Sequence, residues 1–450
     1  KWSIVASETA SAINSRGIYN RLSGGDRTGD KQLTSYDNSK VGWGAMASES
    51  WYEIATRDFI MGEFIWTGFD YLGEPTPWNG IGSGNQGEWP SPKSSYFGII
   101  DTAGFPKDTY YFYQSQWNKD VNTLHILPAW NEDVVAKNTK NEVSVVVYSD
   151  ASKVELLFTP ENGSQISLGT KEFSKEKTKG GYEYQIYKGE DKNRTEHKNL
   201  YLEWKVPYQA GKLEAIGFDE NGEKITNTQG RSFVETTGKA SQLTMAANRK
   251  EIQANNEDLI YLEVDVRDSK GNIVPNADNR VKFKVDGPGE LVGIDNGNAP
   301  DHDSFLLDNR KAFSGKVLAI VKATDKPGKI TVIASADGLK SASTSVTSKG
   351  EVKEKEIDHY EYSKNYYVAV GHEPVLEKTV SIFYSDGSVA KEKIQWNRPN
   401  KNEIEKEGSF ILTGYSKTNK KISINVNMVD KLGAIQNVSL TTGLGILPRL

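Results

Sequence analysis

Beyond residue 120 the chain repeats one pattern, a short run of β-forming residues followed by a turn signal. Glu142–Tyr148 (EVSVVVY), Lys153–Phe158 (KVELLF), Leu213–Phe218, Leu259–Val266, Lys329–Ala334 and Thr379–Tyr384 are such runs. Asn162-Gly163, Asp219–Gly222, Asp268–Gly271 and Ser385-Asp386-Gly387 are turns built from residues that accept the backbone of a tight hairpin. Strands recurring at roughly 8–12-residue spacing predict β-sandwiches. Two polar stretches, Thr236–Ser241 and Ser345–Ile357, read as linkers. They divide this part into three expected sandwiches, residues 123–238, 239–349 and 350–450.

Residues 1–122 have a different character. Seven of the ten tryptophans lie before position 120. Ser3–Ser7 reads as a short apolar strand, and Trp43, Ala47, Trp51, Ile54 and Phe59 have helical spacing. Phe64–Trp66 is a second short strand, and a loop rich in Gly, Pro and Trp follows to about Ser95. Pro106 then opens a helix continued by Tyr110–Tyr113 and Trp117. The order is βαβα, and two such units cannot cover a parallel sheet on both faces. The region is therefore expected to be part of a larger fold, with the chain opening inside it.

Composition excludes several classes. The 55 basic and 60 acidic side chains give a formal net charge of -5, which leaves no electrostatic footprint for nucleic acid. No run approaches the ~18 apolar residues of a membrane-spanning helix. With no cysteine there is no disulfide, no thiolate metal site and no cysteine nucleophile. None of the five histidines falls before residue 123.

Two stretches carry candidate chemistry. Ser7-Glu8-Thr9 follows the first strand, where a barrel would place its reactive groups; the same residues could simply cap a turn. Phe64–Pro75 (FIWTGFDYLGEP) ends a strand in Trp66 and carries Asp70 and Glu74 into a Gly-rich loop. An indole can floor a sugar ring while carboxylates take its hydroxyls; the alternative is an aromatic cluster that packs the loop. Tyr36 and Asn38 either face the same site or fix their own turn. Trp78 and Trp89 either border it or pack the loop. Asp295, Asn296, Asn298, Asp301 and Asp303 form an oxygen-rich cluster, but not at the spacing of a helix-flanked calcium loop. Asp26 and Asp30 read as a solvated turn.

Four stretches resemble glycoside hydrolase family 2, its bacterial β-galactosidases of the streptococcal surface type in particular. They are Trp2–Ala12 (WSIVASETASA), Ser35–Glu49 (SYDNSKVGWGAMASE), Phe64–Pro77 (FIWTGFDYLGEPTP) and Ser94–Trp117 (SSYFGIIDTAGFPKDTYYFYQSQW). Leu124–Trp130, Val292–Phe305 and Arg310–Ala319 resemble the modules appended to these enzymes, and Thr379–Trp396 resembles a bacterial immunoglobulin-like repeat.

The resemblance implies a multidomain, mainly β chain: the C-terminal part of a (β/α)8 barrel at 1–122, then three immunoglobulin-like β-sandwiches. It makes Glu8 the nucleophile of a retaining β-galactosidase and Trp66 the floor of the sugar subsite, with Asp70, Glu74, Tyr36 and Asn38 as further substrate contacts. It implies no cofactor and no metal. The acid/base partner, a glutamate after an asparagine on an earlier barrel strand, is missing. Asn131-Glu132 follows the last barrel helix and does not supply it. The chain alone is therefore expected to be inactive. Its expected partners are β-galactoside glycans and the upstream half of the enzyme, in a secreted or cell-surface bacterial setting with possible cell-wall attachment. The competing expectation is a non-catalytic surface module that binds glycan or acts as an adhesion spacer.

Overall fold

The computed structural model describes residues 3–25, 29–80, 87, 89–189, 194–350, 356–385 and 387–430. Trp2, Asp26, the middle of the Trp-rich loop, the core of the second linker and Asp386 lie outside them. Residues 1–351 form one compact unit and residues 352–450 a second.

The first unit opens with β1 (Ile4–Ala10), α1 (Ala47–Ala55), β2 (Ile60–Trp66) and α2 (Asp108–Trp117). β1 and β2 pair in parallel, with Thr9 opposite Ile65 and Ala10 opposite Trp66. Parallel neighbours need a crossover, and the segment containing α1 supplies it. The sequence pattern ends the first strand at Ser7, whereas the structure carries it on to Ala10. Ala6 stands opposite Glu63 and Thr9 opposite Ile65, so β1 holds one extra residue across Ser7–Glu8. That is a β-bulge, which ends a periodic pattern early while the pairing continues.

The next eight strands are β3 (Leu124–Leu127), β4 (Glu142–Ser149), β5 (Lys153–Pro160), β6 (Ile166–Lys177), β7 (Glu183–Tyr187), β8 (Leu202–Pro207), β9 (Gly211–Phe218) and β10 (Phe233–Glu235). They form a three-stranded sheet, β3-β4-β8, and a five-stranded sheet, β10-β9-β5-β6-β7. β5 and β9 alternate buried and half-buried residues, as strands with one face on a core do. β4 is buried on both faces, which its unbroken EVSVVVYS demands. One face meets the opposite sheet. On the other side Phe112 of α2 lies 5.6 Å from Tyr148, and Tyr36 donates its hydroxyl to the Ser144 carbonyl at 2.7 Å. Ala47, Trp51, Ile54, Phe112 and Tyr113 of the two helices thus share one core with this sandwich.

A second sandwich follows: β11 (Gln242–Ala247), β12 (Glu251–Gln253), β13 (Leu259–Arg267), β14 (Arg280–Asp286), β15 (Gly289–Asp295), β16 (Asn309–Lys311), β17 (Lys316–Ala323), β18 (Gly328–Ser335) and β19 (Ala342–Lys349). Its sheets are β11-β13-β17-β15 and β12-β19-β18-β14-β16, closed on one apolar core. In the second unit β20 (Ile357–Glu361), β21 (Asn365–Ala369), β22 (Thr379–Tyr384), β23 (Val389–Trp396), β24 (Gly408–Ser416) and β25 (Lys421–Val429) join in the order β20-β22-β23-β24-β25-β21. Leu412, Ile424, Val426 and Met428 form its core.

Candidate functional site

Glu8 sits in the bulge near the C-terminal end of β1, exposed, with no hydrogen bond or ion pair on its carboxylate among the described residues. A bulge next to a strand end re-aims the side chain that it carries. The neighbouring residue anchors the strand: the Thr9 hydroxyl donates to Glu63 Oε2 at 2.7 Å, and Ser50 of α1 donates to the same oxygen at 2.6 Å. Burial raises the Glu63 carboxyl above its usual range, against the pull of those two hydroxyls.

Trp66 ends β2, opposite Ala10, so Glu8 and Trp66 share one end of the strand pair. The residue is 38% exposed. Its Nε1 donates to the Tyr71 hydroxyl at 3.1 Å, and that hydroxyl donates to Glu74 at 2.5 Å. The relay fixes the plane of the indole. Burial and the Glu74 hydrogen bond push the Tyr71 hydroxyl up to about 12, so it stays a neutral donor. Glu74 holds a left-handed backbone (φ 46), a conformation that costs a non-glycine residue free energy.

Asp70 has a different role. Its side chain is buried against Lys107 at 2.6 Å and accepts the Gly98 amide at 2.8 Å. A Cβ at Gly98 would stand 2.0 Å from the Asp70 amide nitrogen, so only glycine lets these two segments meet. Lys107 also donates to the carbonyls of Asn14 and Tyr96 at 2.7 and 3.2 Å. Burial pushes the Asp70 carboxyl up to about 6, with Lys107 opposing. Asp70 therefore braces the loop from beneath and is not aimed at a ligand. Tyr36 is likewise a core residue, held by Ser144 and packed edge-on against Tyr19 at 6.1 Å. Asn38 donates to the Leu22 carbonyl at 2.8 Å and fixes its own turn.

The structure therefore places Glu8 and Trp66 at one end of the strand pair, links Trp66 to Glu74 through Tyr71, and engages Tyr36, Asn38 and Asp70 with other protein groups. Sequence reasoning missed Tyr71, although its place between Trp66 and Glu74 in FIWTGFDYLGEP was visible. It also missed Lys107, for which no local signal exists. Of the loop tryptophans, Trp78 is buried with Tyr96 and Phe97, while Trp89 is exposed.

The acidic cluster of the second sandwich is engaged by protein groups. Asp295 accepts from Thr102 at 2.6 Å and faces Lys93 at 3.5 Å; Asp301 pairs with Arg310 and Asp303 with Arg280. The same loop clasps the first 122 residues. The buried Arg16–Asp101 pair reaches the Asn296 carbonyl at 2.7 Å, Gln32 donates to Asn298 at 2.6 Å, and His302 bonds the Ser91 carbonyl at 2.8 Å. Among the described residues no group of three or more His, Asp or Glu is placed to hold a metal ion.

Residues 243–345 match the model of the glycoside hydrolase family 2 C-terminal domain 5. Residues 140–226 match a domain of unknown function, and residues 361–416 a bacterial Ig-like domain (group 4). The chain is 35% identical over 350 residues to β-galactosidase BoGH2A of Bacteroides ovatus, covering 75% of this chain and 36% of that protein. It is 32% identical over 305 residues to a putative β-glucuronidase of Formosa agariphila, covering 67% of this chain and 25% of that protein. A β-glycosidase structure from Bacteroides vulgatus superposes with a TM-score of 0.59 at 26% identity, covering 76% of this chain and 41% of that one. The chain thus spans between a quarter and about a third of these two curated relatives. Family 2 C-terminal modules and glycosidase homologues are the shared ground of these comparisons.

Proposed function

We propose that this chain is the C-terminal part of a retaining β-galactosidase, with Glu8 as the nucleophile and residues 1–122 completing a (β/α)8 barrel with other strands of the same enzyme. The observation that carries the reading is the placement of Glu8: a free carboxylate in a bulge, at the strand end shared with the exposed Trp66. Two carboxyl groups about 5–5.5 Å apart perform retaining hydrolysis, one attacking the anomeric carbon and one shuttling the proton. Glu8 takes the first role. Trp66, held by Tyr71 and Glu74, offers the sugar its face, and Glu74 lies within reach of the same rim. A neutral sugar suits the site better than a uronate, because Lys107, which underlies this loop, is neutralised by Asp70. The setting proposed for the enzyme is secreted or on the bacterial cell surface.

The test is hydrolysis of an aryl β-galactoside by the full-length protein, with a 2-fluoro-galactoside as covalent trap. The expected result is label on the peptide that carries Glu8 and background activity in Glu8→Gln. The 450-residue chain alone should show no turnover, since general acid catalysis is worth about 10²–10⁴-fold. Wild-type rates in Glu8→Gln, or label on another residue, would sink the assignment.

A further inference from the structure

A groove of about 480 Å³ lies between the loops that follow β2 and the outer face of the second sandwich. Phe69, Thr102 and Phe105 line one side, and Asn248, Tyr261 and Glu263 the other. Phe69 is 60% exposed and Tyr261 41% exposed, and both rings border this one groove. Its size falls within the roughly 300–1,000 Å³ of small-ligand pockets, and junctions between modules are where such pockets form.

The polar groups around the rings are already oriented. Asn248 accepts the Tyr261 amide on Oδ1 at 3.0 Å, which leaves its Nδ2 as a fixed donor. Lys316 binds Oε1 of Glu263 and also Asp265; Oε2 of Glu263 takes no hydrogen bond among the described residues. Thr102 donates its hydroxyl proton to Asp295 at 2.6 Å, so its oxygen can only accept from a ligand. One fixed donor and two acceptors beside aromatic faces match a ring that is apolar on its C–H face and hydroxylated at its edge. The cations beside them are already paired, Lys316 between two carboxylates and Arg16, which lies over the Phe105 ring at 4.9 Å, with Asp101, so among the described residues an acidic sugar would meet Glu263 with no free positive charge to offset it.

We propose that this groove binds a neutral sugar unit of a glycan chain, apart from the site at Glu8. Phe69 lies three residues beyond Trp66, so one loop carries a wall of the groove and the floor of the candidate site. The choice of ligand rests on the glycoside hydrolase reading; the location of the groove does not.

Saturation-transfer NMR on the 450-residue chain tests it, with β-1,4-galactotriose as probe and methyl β-glucuronide as charged control. Galactotriose should bind. Tyr261→Ala and Asn248→Ala, made separately, should each weaken it at least about tenfold, as expected for a lost ring contact or hydrogen bond in a small site. Melting curves like that of the wild type would show that both variants are folded. Absence of binding by the wild-type chain, or unchanged binding by both variants, overturns the proposal. Glucuronide binding as tight as galactotriose binding overturns the neutral assignment. The Glu8→Gln hydrolysis assay judges the enzymatic reading separately, and galactotriose binding that needs Tyr261 stands even if that assay fails.

Discussion

At the scale of single residues, Tyr71 is the group on which the candidate sugar platform depends most. It accepts from Trp66 and donates to Glu74, so a change to phenylalanine removes both bonds while keeping the ring. Each is worth about 0.5–1.5 kcal/mol net. Their loss should lower kcat/KM for an aryl β-galactoside by about tenfold in the full-length protein, since a tenfold effect corresponds to about 1.4 kcal/mol. Tyr71 is only half-buried, so the melting temperature should hardly move. An unchanged kcat/KM in Tyr71→Phe would remove Trp66 from the site. The sequence named Trp66 and Glu74 because a strand end and a carboxylate are local features. It could not tell that Asp70, four residues beyond Trp66, faces inward to Lys107 while Glu74 stays at the surface. That difference is set by Gly98, which approaches the Asp70 backbone from a distant part of the chain.

At the scale of elements, α2 is joined to the first sandwich by a buried polar cluster. Asp108, at the start of α2, accepts from His125 Nε2 of β3 at 2.7 Å and from the Tyr19 hydroxyl at 2.8 Å. His125 Nδ1 accepts the Arg231 amide at 3.1 Å, so the neutral ring must carry its proton on Nε2. Burial holds the His125 pKa below its usual 6.5, although Asp108 pulls it up. For Asp108 burial acts upward, but the hydrogen bond and charge of His125 prevail and hold the carboxyl below its usual value. Both groups act in one direction. As pH falls through 6.5 the unfolded chain takes up a proton on histidine that the folded chain resists, so stability declines. Asp108 adds a second loss at much lower pH. Asp70 and Glu63, whose carboxyls are raised by burial, act the other way below about pH 6, so the contribution of His125 is the part of the melting-temperature slope between pH 7.5 and 5 that depends on it. His125→Gln should lower stability by about 1.5–3 kcal/mol at pH 7.5, the worth of a hydrogen bond to a charged group, and flatten that slope. Equal slopes in the two proteins would show that His125 takes up its proton as readily in the fold as in the unfolded chain. The strands of the two sandwiches were legible from period-2 patterning and turns. The bulge at Glu8 was not, because one extra residue in a ladder has no composition of its own. Nor was this cluster, whose four members come from four separate parts of the chain.

At the scale of the whole molecule, the parallel pair β1–β2 is the least finished element of the first unit. Ile4 is 50% exposed, Val5 49%, Met61 72% and Phe64 67%. A two-stranded sheet with apolar side chains in water is marginal, and its open edges invite pairing with another chain. The helices beside it are well buried on the first sandwich, so the exposure belongs to the strands and not to a loosely packed region. If other barrel strands normally cover this face, the 450-residue chain on its own should bind a hydrophobic dye and self-associate as its concentration rises. Burying a side chain such as Met or Phe is worth about 1.5–3 kcal/mol. Met61→Lys combined with Phe64→Lys should then weaken self-association by at least about a hundredfold, since each 1.4 kcal/mol is a factor of ten. Sedimentation velocity across a concentration series reads the effect directly. In the full-length protein the same pair of changes should lower the melting temperature, because charge would enter a face covered by neighbouring strands. A chain that stays monomeric and dye-silent, with a full-length variant as stable as the wild type, would mean that this face is solvated and that residues 1–122 do not complete a barrel.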